Sequence, residues 1–252
     1  MSDIELKWRV EEACLNAWPS PRQIYLHGWI LRFSGGSTRR TNSVNPMRWD
    51  RREAAGIVAD AETLYASFGR PAIFRLPDMA ADIDEALHRR GYVLDQDVAT
   101  LVADLTGRQH PAPVDALLTE MPDEAWMATR QETGELAADD LAVYRQMLDT
   151  IVLPKRFASI RQDGAVCSIA YGAIHDKLLV IESVATPVRF RKRGMGVRTV
   201  GALLDWGREM GAEAACLQVV DDNRPARALY ERLGFTRDLY HYHYRHAPIV
   251  PG

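Results

Sequence analysis

The part of the sequence best suited to bind an anion is a basic turn that carries two glycines. A strand-like stretch, Val184-Ala185-Thr186, leads into it, and the turn itself reads Arg191-Lys192-Arg193-Gly194-Met195-Gly196-Val197. Glycine lets a backbone bend tightly and approach a ligand closely. Apolar residues at helical spacing follow, and the N–H groups at the start of a helix attract anions. The pattern predicts a pyrophosphate site between a strand and a helix.

Known signatures narrow the ligand of this turn. The Gly-Lys-Ser/Thr of a P-loop is absent, and a dinucleotide loop would need a third glycine where Thr199 stands. The spacing Arg191-x-x-Gly194-x-Gly196 instead resembles the Q/R-x-x-G-x-G/A signature of the GNAT acyltransferases. A second segment, Asn223-Arg-Pro-Ala226-Arg-Ala-Leu-Tyr230-Glu-Arg-Leu-Gly234-Phe235, is similar to the N-x-x-A-x-x-x-Y-x-x-x-G-F ending of that family. The resemblance covers roughly Trp126–Arg245.

The resemblance implies an N-acetyltransferase that moves an acetyl group from acetyl-CoA directly to a primary amine, with no metal. The backbone of Val184–Thr186 would then pair with the pantetheine arm, and the Arg191–Val197 turn would hold the pyrophosphate. Asn223 would hydrogen-bond the cofactor, although an N-cap ahead of Pro225 explains it equally well. Tyr230 would protonate the departing thiolate, whereas its alternative role is packing in the core.

Strand geometry adds one further catalytic candidate. Glu182 lies two residues before Val184, so both side chains are expected on one face of the strand. A carboxylate there could remove a proton from an ammonium group, directly or through water, before the amine attacks. The alternative is a solvated charge on a strand.

The chain divides near Thr106–Pro113, where one glycine and two prolines fall in eight residues. We therefore predict domains at 1–107 and 108–252. Each half ends in helix, strand, helix and strand, and Ile83–Tyr92 resembles Ala226–Phe235 at the last helix and the strand that follows. The predicted fold class is α+β (mixed α/β), a GNAT fold in two tandem copies.

The first half looks like the degenerate partner of two-domain GNAT proteins. Gly28-Trp-Ile-Leu-Arg and Arg40-Thr-Asn-Ser-Val-Asn-Pro46 carry this resemblance, but no Arg-x-x-Gly-x-Gly turn is present. We expect this half to bind no coenzyme A and to cover the acceptor side of the groove.

Periodicity and turn residues locate the individual elements. The predicted helices are Glu5–Trp18, Asp50–Phe68, Met79–Arg90, Ala137–Thr150, Gly194–Met210 and Pro225–Leu233. The predicted strands are Gly28–Phe33, Ala72–Leu76, Tyr92–Leu105, Ala214–Val220 and one from Phe235, together with an antiparallel meander of Ala158–Gln162, Ala165–Ala173 and Leu178–Thr186.

Two residue clusters have several possible roles. A basic run, Arg39, Arg40, Arg48, Arg51 and Arg52, is expected to be a solvated face rather than a contact with an acidic ligand or nucleic acid. His241 and His243 have a metal-binding spacing, but no acidic or cysteine partner is near in sequence, so we expect no metal. Tyr242 and Tyr244 belong either to a core strand or to the substrate groove.

Composition sets the remaining expectations. A net charge of −3 disfavours nucleic acid and acidic membranes as partners. Three scattered cysteines and the lack of a signal-peptide pattern or apolar span suggest a cytoplasmic protein without membrane contact. A homodimer is possible. The rival function is a non-catalytic acyl-CoA-binding sensor or assembly module on the same scaffold.

Overall fold

The computed structural model describes residues 2–49, 51, 54–107, 115–134 and 140–248. Seven α-helices lie in these residues: α1 Asp3–Ala17, α2 Ala54–Ser67, α3 Asp84–Arg89, α4 Glu124–Glu132, α5 Leu141–Thr150, α6 Met195–Glu209 and α7 Arg224–Arg232. Their eleven strands are β1 Arg22–Leu26, β2 Trp29–Phe33, β3 Val44–Pro46, β4 Ile73–Pro77, β5 Val93–Asp104, β6 Ala116–Thr119, β7 Lys155–Gln162, β8 Ala165–His175, β9 Leu178–Ala185, β10 Ala214–Val220 and β11 Arg237–His246.

These strands form one sheet with a nearly symmetric order, β1-β2-β3-β4-β11-β5-β10-β9-β8-β7-β6. On one side, β1, β2 and β3 pair antiparallel, and β3 pairs parallel with β4. On the other side, β7, β8 and β9 pair antiparallel, and β9 pairs parallel with β10. Helix α2 connects the first parallel pair as α6 connects the second. The predicted mixed α/β fold with two tandem copies is confirmed.

The two copies exchange their last strands. Strand β11, the end of the second half, pairs antiparallel with β4 of the first half. Strand β5, the end of the first half, pairs antiparallel with the whole of β10, from Ala214↔Asp104 to Val220↔Val98. The two exchanged strands also pair with each other. The centre of the sheet is thus built from both halves.

Helices cover both faces of the sheet around β9 and β10. Buried residues of α1, α4 and α5 form one cluster on the face that contains Val180 and Tyr171. Buried residues of α6 and α7 form a second cluster on the face that contains Leu179 and Ile181. A third cluster joins α2 and α3 to β2 and β4. Helix α1, from the first half, therefore completes the core of the second half.

Most predicted helices and strands are present, but they begin or end at slightly different residues. The predicted helix Met79–Arg90 is wrong as one element, since a 3₁₀ turn at Asp78–Ile83 precedes α3. The helix breaks because Ala80 has non-helical φ −137° and ψ 34°, and the Asp78 carboxylate accepts from the His241 N–H of β11 at 2.9 Å.

Some predictions fall partly outside the described residues. The predicted helices Asp50–Phe68 and Ala137–Thr150 both begin outside the described residues. Most of the break at Thr106–Pro113 also lies outside them, so the domain boundary between 107 and 108 stays a prediction. None of the described helices is long and apolar enough to cross a membrane.

The strand exchange predicts that the second half does not fold alone. A fragment of residues 108–252 lacks β4, β5 and α1, which leaves β11 without a strand partner, β10 with β9 alone, and one sheet face uncovered. We expect this fragment to show no cooperative urea unfolding by circular dichroism, and expect mixing it with residues 1–107 to restore the transition. The control is the full chain cut after folding at a protease site placed after residue 107. Cooperative unfolding of 108–252 alone would contradict the prediction.

Candidate active site

The parallel strands β9 and β10 part half-way along their length. Their pairing runs from Leu178↔Ala214 to Ile181↔Leu217 and includes no later pair in the described sheet. Beyond that point β9 pairs only with β8, and β10 only with β5. The backbone edges of residues 182–185 and 218–220 therefore face each other across a gap.

A bulge at Ser183 bends β9 away from its neighbour. Ser183 has a positive φ of 53°, and β9 carries one extra residue between the pairs Tyr171↔Glu182 and Ile169↔Ala185. Such a bulge increases the local twist and reverses the alternation of side chains. Val184 packs against the cluster that contains α6, α7 and Ile181. Side chains alternate between faces from Val180 to Glu182, so Glu182 lies on the face of Val180, toward α1, α4 and α5. The expectation that Glu182 and Val184 share a face is wrong.

A cavity of about 460 Å³ opens at this gap. Four of the predicted site residues line it: Glu182, Val184, Asn223 and Tyr230. The first half and the exchanged β11 supply other lining residues: Trp18, Ser37, Thr38, Arg39, Arg40, Gln96, Val98, Tyr242 and Tyr244. Tyr242 and Tyr244 line the groove and are also buried in a core cluster on β11, so both of their expected positions are present.

Helix α7 places Asn223 and Tyr230 on the cavity wall. The Asn223 side chain caps the helix by accepting from the Ala226 N–H at 3.2 Å, so its expected N-cap role is present. Tyr230 is 8% exposed and packs edge-to-face on Phe235, with ring centroids 6.0 Å apart. Tyr230 therefore belongs to the core cluster and borders the cavity at the same time.

Glu182 is held by an arginine of the first half. Its carboxylate is 6% exposed and accepts from both Nη atoms of Arg40, at 2.7 and 3.0 Å. The Arg40 guanidinium stacks on Trp18, 4.0 Å from the ring centroid. Burial by itself lowers the pKa of Arg40, but the charge and hydrogen bonds of Glu182 outweigh it and raise that pKa above its usual range. The two side chains form a fork-to-fork pair with two parallel hydrogen bonds.

The basic glycine turn lies outside this cavity lining. Arg191, Lys192, Arg193 and Gly194 are exposed, and the Arg191 Nε donates to the Thr186 carbonyl at 3.0 Å. Gly194 is the N-cap of α6 with φ 75°, and no side chain caps that helix. A Cβ at Gly194 would meet nothing within 4 Å. The N–H groups of Met195, Gly196 and Val197 therefore begin a helix beside open space and three cations.

Gly196 and Met195 also have packing roles that the motif did not indicate. A Cβ at Gly196 would lie 2.7 Å from Leu229 Cδ1 of α7, so glycine allows α6 and α7 to approach. The Met195 side chain is buried with Ile160 and Cys167.

The interpretation of the basic run as a solvated face is wrong for two of its members. Arg39 and Arg40 line the cavity, where Arg39 contacts Asp95 and Gln96 and stacks 4.8 Å from the Tyr244 ring. Arg48 pairs with Glu5 and Arg51 with Asp82, while Arg52 lies outside the described residues. Sequence reasoning missed Arg39 and Arg40 as site residues because their partners are 56 and 142 positions away.

The histidines of β11 have acidic partners, most of them distant in sequence, although Asp238 lies three residues before His241 and 3.7 Å from its Nε2, so the expectation of no nearby acidic partner is wrong. Asp97, Asp221 and His241 place ligand atoms within 4.8 Å of one another, and His243 Nε2 lies 2.7 Å from Asp84 Oδ1. Asp221 also accepts from Arg227 at 3.0 Å. Asp97 and Asp221 are exposed and His241 is partly exposed, and exposed acidic groups commonly lie together without an ion.

The family can now be assigned from comparisons with known proteins. A family model described as "Probable histone acetyltransferase Rv0428c C-terminal" matches residues 4–247, nearly the whole chain. The chain belongs to this family of GNAT acetyltransferases. It is therefore an acyltransferase of the GNAT type, as the turn and the Asn223–Phe235 segment implied.

Relatives and solved structures agree with this assignment. The "Uncharacterized N-acetyltransferase YobR" of Bacillus subtilis is 22% identical over 252 residues, which cover 97% of this chain and 99% of the relative. The "Probable histone acetyltransferase Rv0428c" of Mycobacterium tuberculosis is 26% identical over 258 residues, which cover 95% and 72%. A GCN5-related N-acetyltransferase from Kribbella flavida has TM-score 0.67 at 18% identity, with coverage of 97% and 93%. A tandem GNAT protein from the clavulanic acid biosynthesis pathway has TM-score 0.68 at 12% identity, with coverage of 100% and 98%. The two structures support the tandem GNAT fold.

The Arg40–Glu182 pair in this GNAT site yields a stability prediction. Arg40→Gln leaves a buried carboxylate without its cation, so we expect the free energy of unfolding to fall by about 3 kcal/mol. The double variant with Glu182→Gln should recover part of that loss, since no buried charge remains. Urea unfolding followed by tryptophan fluorescence measures the cycle. Arg89→Gln, at an arginine whose side chain is 72% exposed, is the matched control. A change of less than about 0.5 kcal/mol for Arg40→Gln would contradict the prediction.

Proposed function

We propose that this GNAT protein transfers the acetyl group of acetyl-CoA directly to a primary amine in the gap between β9 and β10. The observation that carries the proposal is the parting of these strands beside an uncapped, basic helix start. The gap is bordered on one face by Tyr230 and on the other by Glu182.

The residues present fit acetyl-CoA as the donor. The backbone edge of Val184–Thr186 lacks a strand partner on the β10 side and would pair with the amides of the pantetheine arm. The N–H groups at the start of α6, with Arg191, Lys192 and Arg193, would hold the pyrophosphate. A side chain at Gly194, the N-cap of this helix, would meet no atom within 4 Å. Asn223, which caps α7 through its Oδ1 atom, would use its amide N–H₂ toward the donor.

Each face of the gap carries out one proton transfer in this proposal, through Tyr230 on one face and Glu182 on the other. The acceptor nitrogen forms a bond to the acetyl carbon while the carbon–sulfur bond breaks, and the phenol of Tyr230 gives its proton to the sulfur. Glu182 receives a proton from the acceptor ammonium, directly or through water. Arg40 holds that carboxylate in place through two hydrogen bonds, and its charge disfavours the ammonium form of an adjacent amine. Positioning of amine and thioester supplies most of the acceleration, since the thioester is already activated.

The rival function is a non-catalytic acyl-CoA sensor or assembly module. Tyr230 at the cavity wall and an ion-paired Glu182 across the gap favour the enzyme, because a binding module needs neither group there. We place the reaction in the cytoplasm, and the three buried free cysteines fit its reducing conditions. A mass-spectrometric screen of amines with acetyl-CoA separates the enzyme from the sensor.

The two proton-transfer roles predict different kinetic defects. Tyr230→Phe should lower kcat by ~10²–10⁴-fold, since it removes the proton donor and keeps the ring that packs on Phe235. Its acetyl-CoA affinity should not change. Glu182→Gln should lose activity near neutral pH and recover it as pH rises, because solution then supplies free amine. Thiol release across a pH series measures both. Wild-type turnover in Tyr230→Phe, or a pH–rate profile of Glu182→Gln that overlays the wild type, would contradict the assigned role.

A further inference from the structure

The bulge that parts β9 from β10 contains a strained residue. Ser183 has a Cβ, yet its φ is 53°, in the left-handed region that costs free energy for every residue except glycine. Glu182 and Ala185, on either side, pair with β8, but Ser183 has no partner in that register. A conformation of this kind persists only where other contacts hold it. The contacts of the Ser183 side chain therefore decide whether the bulge keeps its shape.

One tyrosine of the second half binds Ser183 directly. The Tyr144 hydroxyl of α5 lies 2.7 Å from the Ser183 Oγ, and both side chains are buried. Burial raises the pKa of Tyr144 to about 12, against the opposing charge of Arg130, so the phenol keeps its proton at neutral pH. A buried hydroxyl that loses its partner is left without a hydrogen bond, which costs free energy. This bond therefore favours the bulged conformation of Ser183.

Contacts with the first half position the helix that carries Tyr144. Asp140, the N-cap of α5, accepts from the Ser37 N–H at 2.9 Å. The Tyr144 ring packs on Trp18, with ring centroids 5.7 Å apart. Both Ser37 and Trp18 belong to the first half. The place of the hydroxyl beside β9 therefore depends on both halves of the chain.

Tyr144 itself lies outside the cavity at the gap. Ser183 lines that cavity together with Glu182 and Val184, whereas Tyr144 is absent from its described lining. Tyr144 instead borders a separate cavity of about 10 Å³. Any influence of the hydroxyl on a bound donor is therefore expected to pass through the β9 backbone that Ser183 belongs to.

We propose that Tyr144 is a positioning residue for the donor: its hydroxyl holds the Ser183 bulge, and the bulge keeps the edge of β9 open for the pantetheine arm. The inference rests on the proposed function, which assigns that edge to acetyl-CoA. Without the hydroxyl, Ser183 leaves its strained conformation in part of the molecules. Only the molecules with an intact bulge bind the donor well, so the apparent Kd rises as their fraction falls.

Removal of the hydroxyl tests the proposal on the full chain. Tyr144→Phe keeps the ring that packs on Trp18, and we expect the Kd for acetyl-CoA, measured by titration calorimetry, to rise about 3–10-fold, the equivalent of one net hydrogen bond. The matched control is Tyr65→Phe in the α2 cluster, which removes another buried phenol bond, 2.9 Å to the Arg32 carbonyl. This control should keep wild-type affinity although its stability falls. An unchanged Kd in Tyr144→Phe overturns the proposal.

Ser183→Gly separates the positioning role from a purely structural one. Glycine adopts a positive φ without the steric cost, so the double variant of Tyr144→Phe with Ser183→Gly should bind acetyl-CoA more tightly than Tyr144→Phe alone. In the Ser183→Gly background no Oγ remains to be bound, and adding Tyr144→Phe should change the Kd less than about 2-fold. A tyrosine that only stabilises the fold shows no such rescue. Absence of the rescue overturns the proposal.

Hydrogen exchange followed by mass spectrometry tests the bulge without any ligand. In Tyr144→Phe the amides of residues 182–185 should exchange faster, because the bulge is no longer held. Residues 178–181 of the same strand still pair with β10 and should exchange as in the wild type. Unchanged exchange at 182–185 overturns the proposal whether or not the protein binds acetyl-CoA. Calorimetry of the wild type with acetyl-CoA reports failure of the proposed function separately.

Discussion

The parting of β9 and β10 after Ile181 and Leu217 is the constraint on which the site depends. The bulge at Ser183 twists β9 away from β10, so the parallel pairing of these two strands ends half-way along them. Each strand keeps its outer partner, β8 for β9 and β5 for β10, although the inner edges are unpaired. Glu182 and Val184 fall on opposite faces because of the same extra residue. The two faces can then serve different substrates.

The strand exchange makes that gap a property of both halves. Strand β5 supports β10 from behind, and β11 brings Tyr242 and Tyr244 to the cavity. One ion pair joins the halves directly, Arg40 with Glu182, and Tyr240 of the second half donates to Glu11, which is paired with Arg75 within the first half. Removing one partner of such a pair strands a charge in the interior, so the halves resist separation. The degenerate first copy thus supplies a wall of the site.

Local sequence predicted most elements and the family. Glycines that follow α6 and α7 marked the ends of these helices to within a few residues. The basic glycine turn and the Asn223–Phe235 segment identified the GNAT fold. The features that the sequence could not predict depend on contacts between residues far apart in the chain. The exchange of β5 and β11 depends on pairing between distant strands, and no pattern in either strand marks its partner. The partners of Arg39 and Arg40 are equally distant. The bulge at Ser183 reverses a face through a single residue, and simple alternation predicts the opposite.

Titration calorimetry with acetyl-CoA tests the central claim most directly, because it counts donor sites and assigns them to the α6 turn. The account predicts one site per chain. Gly194→Asp adds a negative charge at the N-cap of α6, where a new Cβ meets nothing within 4 Å, and Gly194→Asn has the same shape without the charge. Asp should abolish binding, whereas Asn, with the same strain at φ 75°, should retain most of it. Two sites per chain, or equal affinity of the Asp and Asn variants, would contradict the account.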